Sequence, residues 1–216
     1  MKIESFVSAG DLKALTSFTE NGSAAGGQFF MYKGLAGGNS ARVVATDGAI
    51  ALSIVRDATD VKVGEIGADY IEGKSRNHES KSLNFMWNAI EENIVEARGM
   101  KTSATVSIDV KEYLSTFSNK GNSTGYVKLD GVYFDNLRIR RLVRAMKYLG
   151  YATVELIVKK NAVNALGEET NRLVWENGED YAIIMNCIAS VVRKKGKSSL
   201  MDENLYKDIC IVKEVG

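Results

Sequence analysis

The chain contains no proline at all, where an average usage near 5 % would place about ten in a sequence of this length. Its turns must be made by other residues, and its twenty glycines are the available supply. Histidine occurs once, as His78 in the polar run "EGKSRNHES", and cysteine twice, as Cys187 and Cys210. A Cys/His zinc cluster is excluded, as is any Ser-His or Cys-His triad not built on His78, whose surroundings read as a solvated loop. Charge of one sign is not in excess: 28 Lys and Arg face 27 Asp and Glu. Any attraction for nucleic acid must therefore come from local placement rather than bulk charge. No apolar run approaches the roughly 18 residues of a membrane span, and "MKIESFVSAGDLK" lacks the basic-then-apolar order of a signal peptide. A cytoplasmic protein with no membrane partner is expected.

Recognisable chemistry is missing too. No Walker P-loop occurs, and "GGNSARVVATDG" opens no helix after a strand, as a dinucleotide fingerprint would. Asp47, Asp57 and Asp60 read as turn and loop acids without ligand spacing, and Glu91, Glu92 and Glu96 as a solvated helix face. The reading is a protein that is not an enzyme, with no catalytic residue, no metal site and no cofactor. An enzyme on an unrelated α+β fold would need a cleft that gathers several acids or His78, and the sequence shows no such convergence.

What is present is an α+β pattern, 45 % hydrophobic, long enough for one large or two ordinary domains. "MKIESFVSA" alternates like a first strand. "GDLKALTSFTEN" follows as a short helix, with Asp11 as its cap and Asn21-Gly22 as its stop. "GQFFMYKGL", "ARVVATDG" and "AIALSIVRD" read as strands of an antiparallel meander, with Asp47-Gly48 at the last tip, where positive φ favours glycine. Residues 57–81 hold one or two strands and a polar loop. "SLNFMWNAIEENIVEA" carries Leu83, Met86, Trp87, Ile90 and Ile94 at helical spacing, which predicts a helix over 82–97; the alternative is a linker around Trp87.

After a boundary at 99–103 the order repeats. "SATVSID" is a strand, "VKEYLSTFSN" a short helix, "GYVKLDGVYF" a hairpin or long strand, and "LRIRRLVRAMKYLG" a helix stopped by Gly150. "TVELIVKK", "NRLVWEN" and "DYAIIMNCI" are three more strands. The shared strand-helix-strands order suggests an internal duplication, with domains at 1–100 and 101–190 and an extension at 191–216. In that extension Arg193, Lys194, Lys195 and Lys197 read as a solvated connection, and "DICIVKEV" as an added edge strand.

The most informative segment is the helix from Leu137. Ile139, Leu142, Val143, Met146 and Leu149 fall on one side, and Arg140, Arg141, Arg144 and Lys147 on the other, with Arg138 at the edge. No acid lies on it. The pattern fits either an amphipathic surface helix with a solvated basic face or a surface that contacts phosphates without reading bases. Duplex DNA suits it better than single strands, since Tyr148 is the one aromatic nearby.

Three stretches together resemble the sliding-clamp family, that of the bacterial DNA polymerase III β subunit. "LKALTSF…RVVATDGAIAL" is similar to the start of a clamp domain, and "FMWNAIEENIVEARGMKTSATVSIDVKEYLSTF" to the passage between domains. "YFDNLRIRRLVRAMK…VELIVKK…RLVWENGEDYAIIMNC" is similar to the end of the last domain. The resemblance implies a DNA clamp fold: antiparallel sheets with short helices packed on one face, in two clamp-type domains or a single enlarged or fused one. It also implies a processivity factor that encircles duplex DNA and tethers a DNA polymerase or other replication protein. A two-domain chain would form a homo-oligomeric, trimeric ring, as in a phage- or mobile-element-like member. The family's partner-peptide pocket maps by resemblance to Thr46, Gly48, Asp135, Ile183 and Met185. Here Ala49-Ile50-Ala51 replaces the family's His-Arg-Leu, Asp135 its asparagine, and Met185-Asn186-Cys187 its Met-Pro-Met. A clamp-fold accessory module that binds DNA or protein without forming a ring is the alternative.

Overall fold

The computed structural model describes residues 2–19, 29–70, 80–118, 125–160, 170–186 and 210–214. These form a mixed α/β protein with antiparallel strand pairs and four α-helices among the described residues. The chain divides into two compact units, Met1–Glu96 with Glu176–Ala182, and Ala97–Trp175 with Ile183–Gly216.

The first unit begins differently from its sequence pattern. Instead of a strand, Ile3–Ser5 form a 3-10 turn, whose buried Ile3 donates its N–H to the Asp69 carboxylate at 2.8 Å rather than to a neighbouring strand. Helix α1 (Ala9–Thr19) follows. Its cap is Ser8, not Asp11: the Ser8 hydroxyl accepts the Asp11 N–H at 3.0 Å, and the Asp11 carboxylate accepts the Ser8 N–H at 3.0 Å and its hydroxyl at 2.7 Å. That reciprocal pair is a capping box, which places the acid inside the first turn. The stop at Asn21-Gly22 lies outside the described residues.

Four strands follow, β1 (Phe29–Gly34), β2 (Ser40–Thr46), β3 (Ile50–Asp57) and β4 (Ile66–Tyr70). With the first residues of β10 (Asp180–Met185) they lie in the order β10-β3-β2-β1-β4. Register sets two faces: Tyr32 opposes Val43, which opposes Ile54, while Met31 opposes Val44, which opposes Ser53. Residues 50–54 of β3 are buried without a break, and a strand buried on both sides needs cover on both. Asp11 of α1 meets Arg56, and Phe6 packs edge-on to Tyr32, on the Val43 face. Helix α2 (Ser80–Gly99) packs Leu83 and Trp87 against Met31 and Val44 on the opposite face. In this unit the two helices thus sandwich the sheet, which corrects the expectation of helices on one face. Residues 82–97 are helical, as their spacing predicts.

In the second unit β5 (Lys101–Asp109), β8 (Thr153–Lys160) and β9 (Arg172–Asn177) lie in the order β11-β5-β8-β9. The final segment does supply an edge strand, β11 (Cys210–Glu214), antiparallel to β5 with Val212 opposite Val106. Here the burial alternates: Ala104, Val106 and Ile108 are buried and face Val158, Leu156 and Val154 across the β5–β8 pair. Helix α3 (Val110–Thr116) starts on Asp109, whose carboxylate accepts the Glu112 N–H at 2.7 Å. Strands β6 (Tyr126–Leu129) and β7 (Val132–Asp135) form the hairpin. Its two turn residues, Asp130 at φ 45 and Gly131 at φ 77, have the paired positive φ of a type I′ turn. Lys160 ties that turn down at 2.6 Å from Asp130. Burial pushes the Asp130 carboxyl up, but Lys160 and Ser103 outweigh it and hold the group below its ordinary value.

Candidate nucleic-acid interface

Helix α4 (Asn136–Tyr148) carries the basic face. It starts at the end of β7, where the Asp135 carboxylate accepts the Leu137 N–H at 2.8 Å, and its negative charge suits a helix N-terminus. It ends where the pattern predicts: Gly150 has φ 90, and the N–H groups of Gly150 and Tyr151 reach the carbonyls of Lys147 and Met146 at 3.1 and 3.0 Å. That is a Schellman motif, which requires left-handed backbone after the last turn. Both ends of the basic helix are fixed by hydrogen bonds that the sequence encodes locally.

Its sides differ from a simple amphipathic wheel. Ile139, Leu142, Val143 and Met146 are buried as expected, but so are Arg141, at 4 % exposure, and Ala145. Helix α3 packs along α4, and the Tyr113 hydroxyl donates to the buried Asn136 side chain near its start. With cover on more than one side, the surface strip is narrower than periodicity alone implies. Arg140, Arg144, Lys147 and Tyr148 form it, at i, i+4, i+7 and i+8; the two arginines are half-buried, and the lysine and tyrosine are exposed. From Arg140 to Lys147 the strip runs about 10 Å along the axis. Arg138 is half-buried, and Arg141 leaves the set of surface cations. Arg140, Arg141 and Arg144 each make an interaction of their own within the protein. No acidic residue lies on α4, so chemically the strip can meet anionic oxygens at two to three points on a rigid rod.

The residues mapped by resemblance to a peptide pocket are placed as follows. Thr46 and Gly48 belong to the first unit, and Asp135, Ile183 and Met185 to the second. At the β2–β3 turn, positive φ falls on Gly48 alone, at 91. The Thr46 hydroxyl donates to the Ile50 carbonyl at 2.7 Å and accepts the Gly48 N–H at 2.9 Å, while the Asp47 carboxylate accepts the N–H groups of Ala49 and Ile50. The polar atoms of Thr-Asp-Gly thus close their own turn, and the residue at its left-handed point is the glycine rather than an Asp-Gly pair. Asp135 caps α4, Ile183 is buried and Met185 is half-buried. His78, Cys187 and the Arg193–Lys197 patch lie outside the described residues. Among the described residues no group of three or more His, Cys, Asp or Glu is arranged to hold a metal, and no helix is long and apolar enough to cross a membrane.

One charged cluster has no signal in the sequence. Arg56 joins residues far apart in the chain: its Nε and Nη2 reach Asp11 at 3.0 and 2.6 Å, and its Nη1 reaches Asp180 at 2.9 Å. Asp180 also accepts the Val55 N–H at 2.8 Å. Burial pushes the Asp11 carboxyl up, but Arg56 and Ser8 outweigh it and hold the group below its ordinary value. The same carboxylates outweigh burial at Arg56 and raise its pKa. Every polar atom of this cluster faces another, so it braces the first unit rather than forming an open site.

Together the observations define a mixed α/β protein with, among its described residues, a basic strip on the surface of helix α4. No protein-family model and no curated protein matches the chain. Among solved structures it is similar to the DNA polymerase III subunit beta from Pseudomonas aeruginosa, at 12 % identity and a TM-score of 0.47. That match covers 84 % of this chain, which spans 65 % of the other protein's length.

Proposed function

We propose that this chain is a non-catalytic, clamp-like DNA-binding protein of the cytoplasm that holds duplex DNA by its backbone through Arg140, Arg144 and Lys147. The observation that carries the reading is the strip itself: cations in register along a helix fixed at both ends, with no acid on that helix. Such a surface attracts phosphates whatever the sequence, which suits a protein that slides. The resemblance of "RVVATDGAIAL" and "LRIRRLVRAMK" to clamp segments extends the reading to a homo-oligomeric ring that tethers a polymerase, as phage- or mobile-element-like clamps do. Topological linkage makes weak backbone contact sufficient, because a tethered partner is held at high effective concentration.

Mass measurement in solution with closed circular and linear duplex DNA tests this. Retention on circles with loss from linear ends is expected, whereas a concentration-independent monomer without salt-sensitive binding would refute it. A second reading, an accessory module that binds without encircling, is favoured by one observation. Helix α2 lies on the other sheet face from α1 and carries Glu91, Glu92 and Glu96, so it adds no phosphate-attracting surface in the first unit. Under that reading the chain binds circles and linear DNA alike.

A further inference from the structure

The inner side of α2 is fully used: Leu83, Trp87, Ile94 and Ala97 are buried, and Met86 and Ile90 pack against the same cluster. Its outer side is unlike an ordinary solvated helix. Among the described residues the two most exposed large apolar side chains in the protein, Phe85 at 76 % and Val95 at 69 %, both project from it. They are ten residues apart, about 15 Å along the axis, and fall within one stripe with Asn88 and Glu92 at i, i+3, i+7 and i+10. Asn88, Glu91, Glu92, Val95 and Glu96 line an open groove of about 500 Å³ on that stripe. Glu91 lies 3.8 Å from Lys33, which reaches over from β1, while Glu92 is exposed.

We infer that this outer face of α2 docks a cationic amphipathic helix of a partner protein. Exposed aromatic and aliphatic side chains at helical spacing are anchors for the apolar side of a second helix, and the acids between and beside them demand lysine or arginine flanking it. The same carboxylates repel phosphates, so nucleic acid and anionic lipid headgroups are poor occupants. The face lies on a different helix from the basic strip of α4, and the inference stands whether or not that strip binds DNA.

The test uses a labelled 15-residue helical peptide of leucine and lysine, with leucine at the i, i+3, i+4 and i+7 positions, titrated against the full chain by fluorescence anisotropy. Binding that weakens with salt is expected, and Glu92→Lys or Phe85→Ser should each weaken it about tenfold. Val63→Ser, at an exposed apolar residue that is not on α2, should leave it unchanged. Both α2 positions are exposed, so the melting temperature of each variant should stay near that of the parent. The inference is overturned if both α2 variants bind within twofold of the parent, or if a lysine peptide with serine in place of leucine binds as tightly. It is also overturned if the chain self-associates without peptide and Phe85→Ser abolishes that association, because the occupant is then a second copy.

Discussion

Replacing Arg56 by methionine leaves the arginine's aliphatic volume but removes the guanidinium that joins Asp11 to Asp180. Two carboxylates already withdrawn from water then lose their common counter-charge, since Asp11 is buried and Asp180 mostly so. Breaking a buried ion pair from one side costs about 3–5 kcal/mol, and the partial exposure of Arg56 sets the expectation near the lower end, at about 3 kcal/mol. For a chain of this length that is a fall in Tm of about 6–12 °C by calorimetry at pH 7. The pH dependence carries the sharper test. In the parent the Asp11 pKa is depressed on folding, so its stabilisation is present above the unfolded carboxylate value of about 4 and is lost as pH falls through the lower folded value. Without Arg56 only the Ser8 bonds oppose burial, so the depression shrinks and the variant should lose less stability than the parent as pH falls below about 4. A variant whose Tm instead falls in parallel with the parent on acidification would refute the assignment of the cluster.

Other outcomes follow from the same geometry. Gly67→Ala should destabilise by about 1–3 kcal/mol in urea unfolding, because a Cβ there would lie 2.2 Å from the Tyr32 ring. Tyr113→Phe, which leaves the fully buried Asn136 without its hydroxyl partner, should cost about 1–3 kcal/mol in the same measurement. Arg141→Ala should lower Tm while leaving the salt dependence of DNA binding unchanged, because Arg141 is buried. Lys147→Ala should do the reverse, reducing that slope by about 0.9 with Tm unmoved.

What the sequence reveals divides along physical lines. Helix α4 is legible because its apolar period and its Gly150 stop are local signals, whereas Asp135, its cap, enters the sequence reading only through the resemblance to a pocket residue. Helix α2 is legible for the same reason, from Leu83 to Ile94. The first segment is not: Ile3, Ser5 and Val7 alternate like a strand, yet a long-range bond to Asp69 and a turn closed by the Ser5 hydroxyl on the Lys2 carbonyl hold it as a 3-10 turn. Periodicity gives one apolar side of a helix but not whether a second element covers another. For that reason Arg141 reads as a surface cation and lies buried, while Arg140, Arg144 and Lys147 keep the strip. The Arg56 cluster joins positions separated by 45 and 124 residues, so no local pattern announces it. The run Ile50–Ile54 of β3, apolar but for Ser53, is the signal that both sheet faces of the first unit need cover.

The central claim is that α4 meets the DNA backbone through three cations. The slope of log Kobs against log salt concentration for a short linear duplex, compared between the parent and an Arg140→Ala, Arg144→Ala, Lys147→Ala variant, tests it most directly. Three phosphate contacts per chain predict a slope shallower in the variant by about 2.7 per bound chain, the same on unrelated DNA sequences. An unchanged slope in a folded variant would contradict the account.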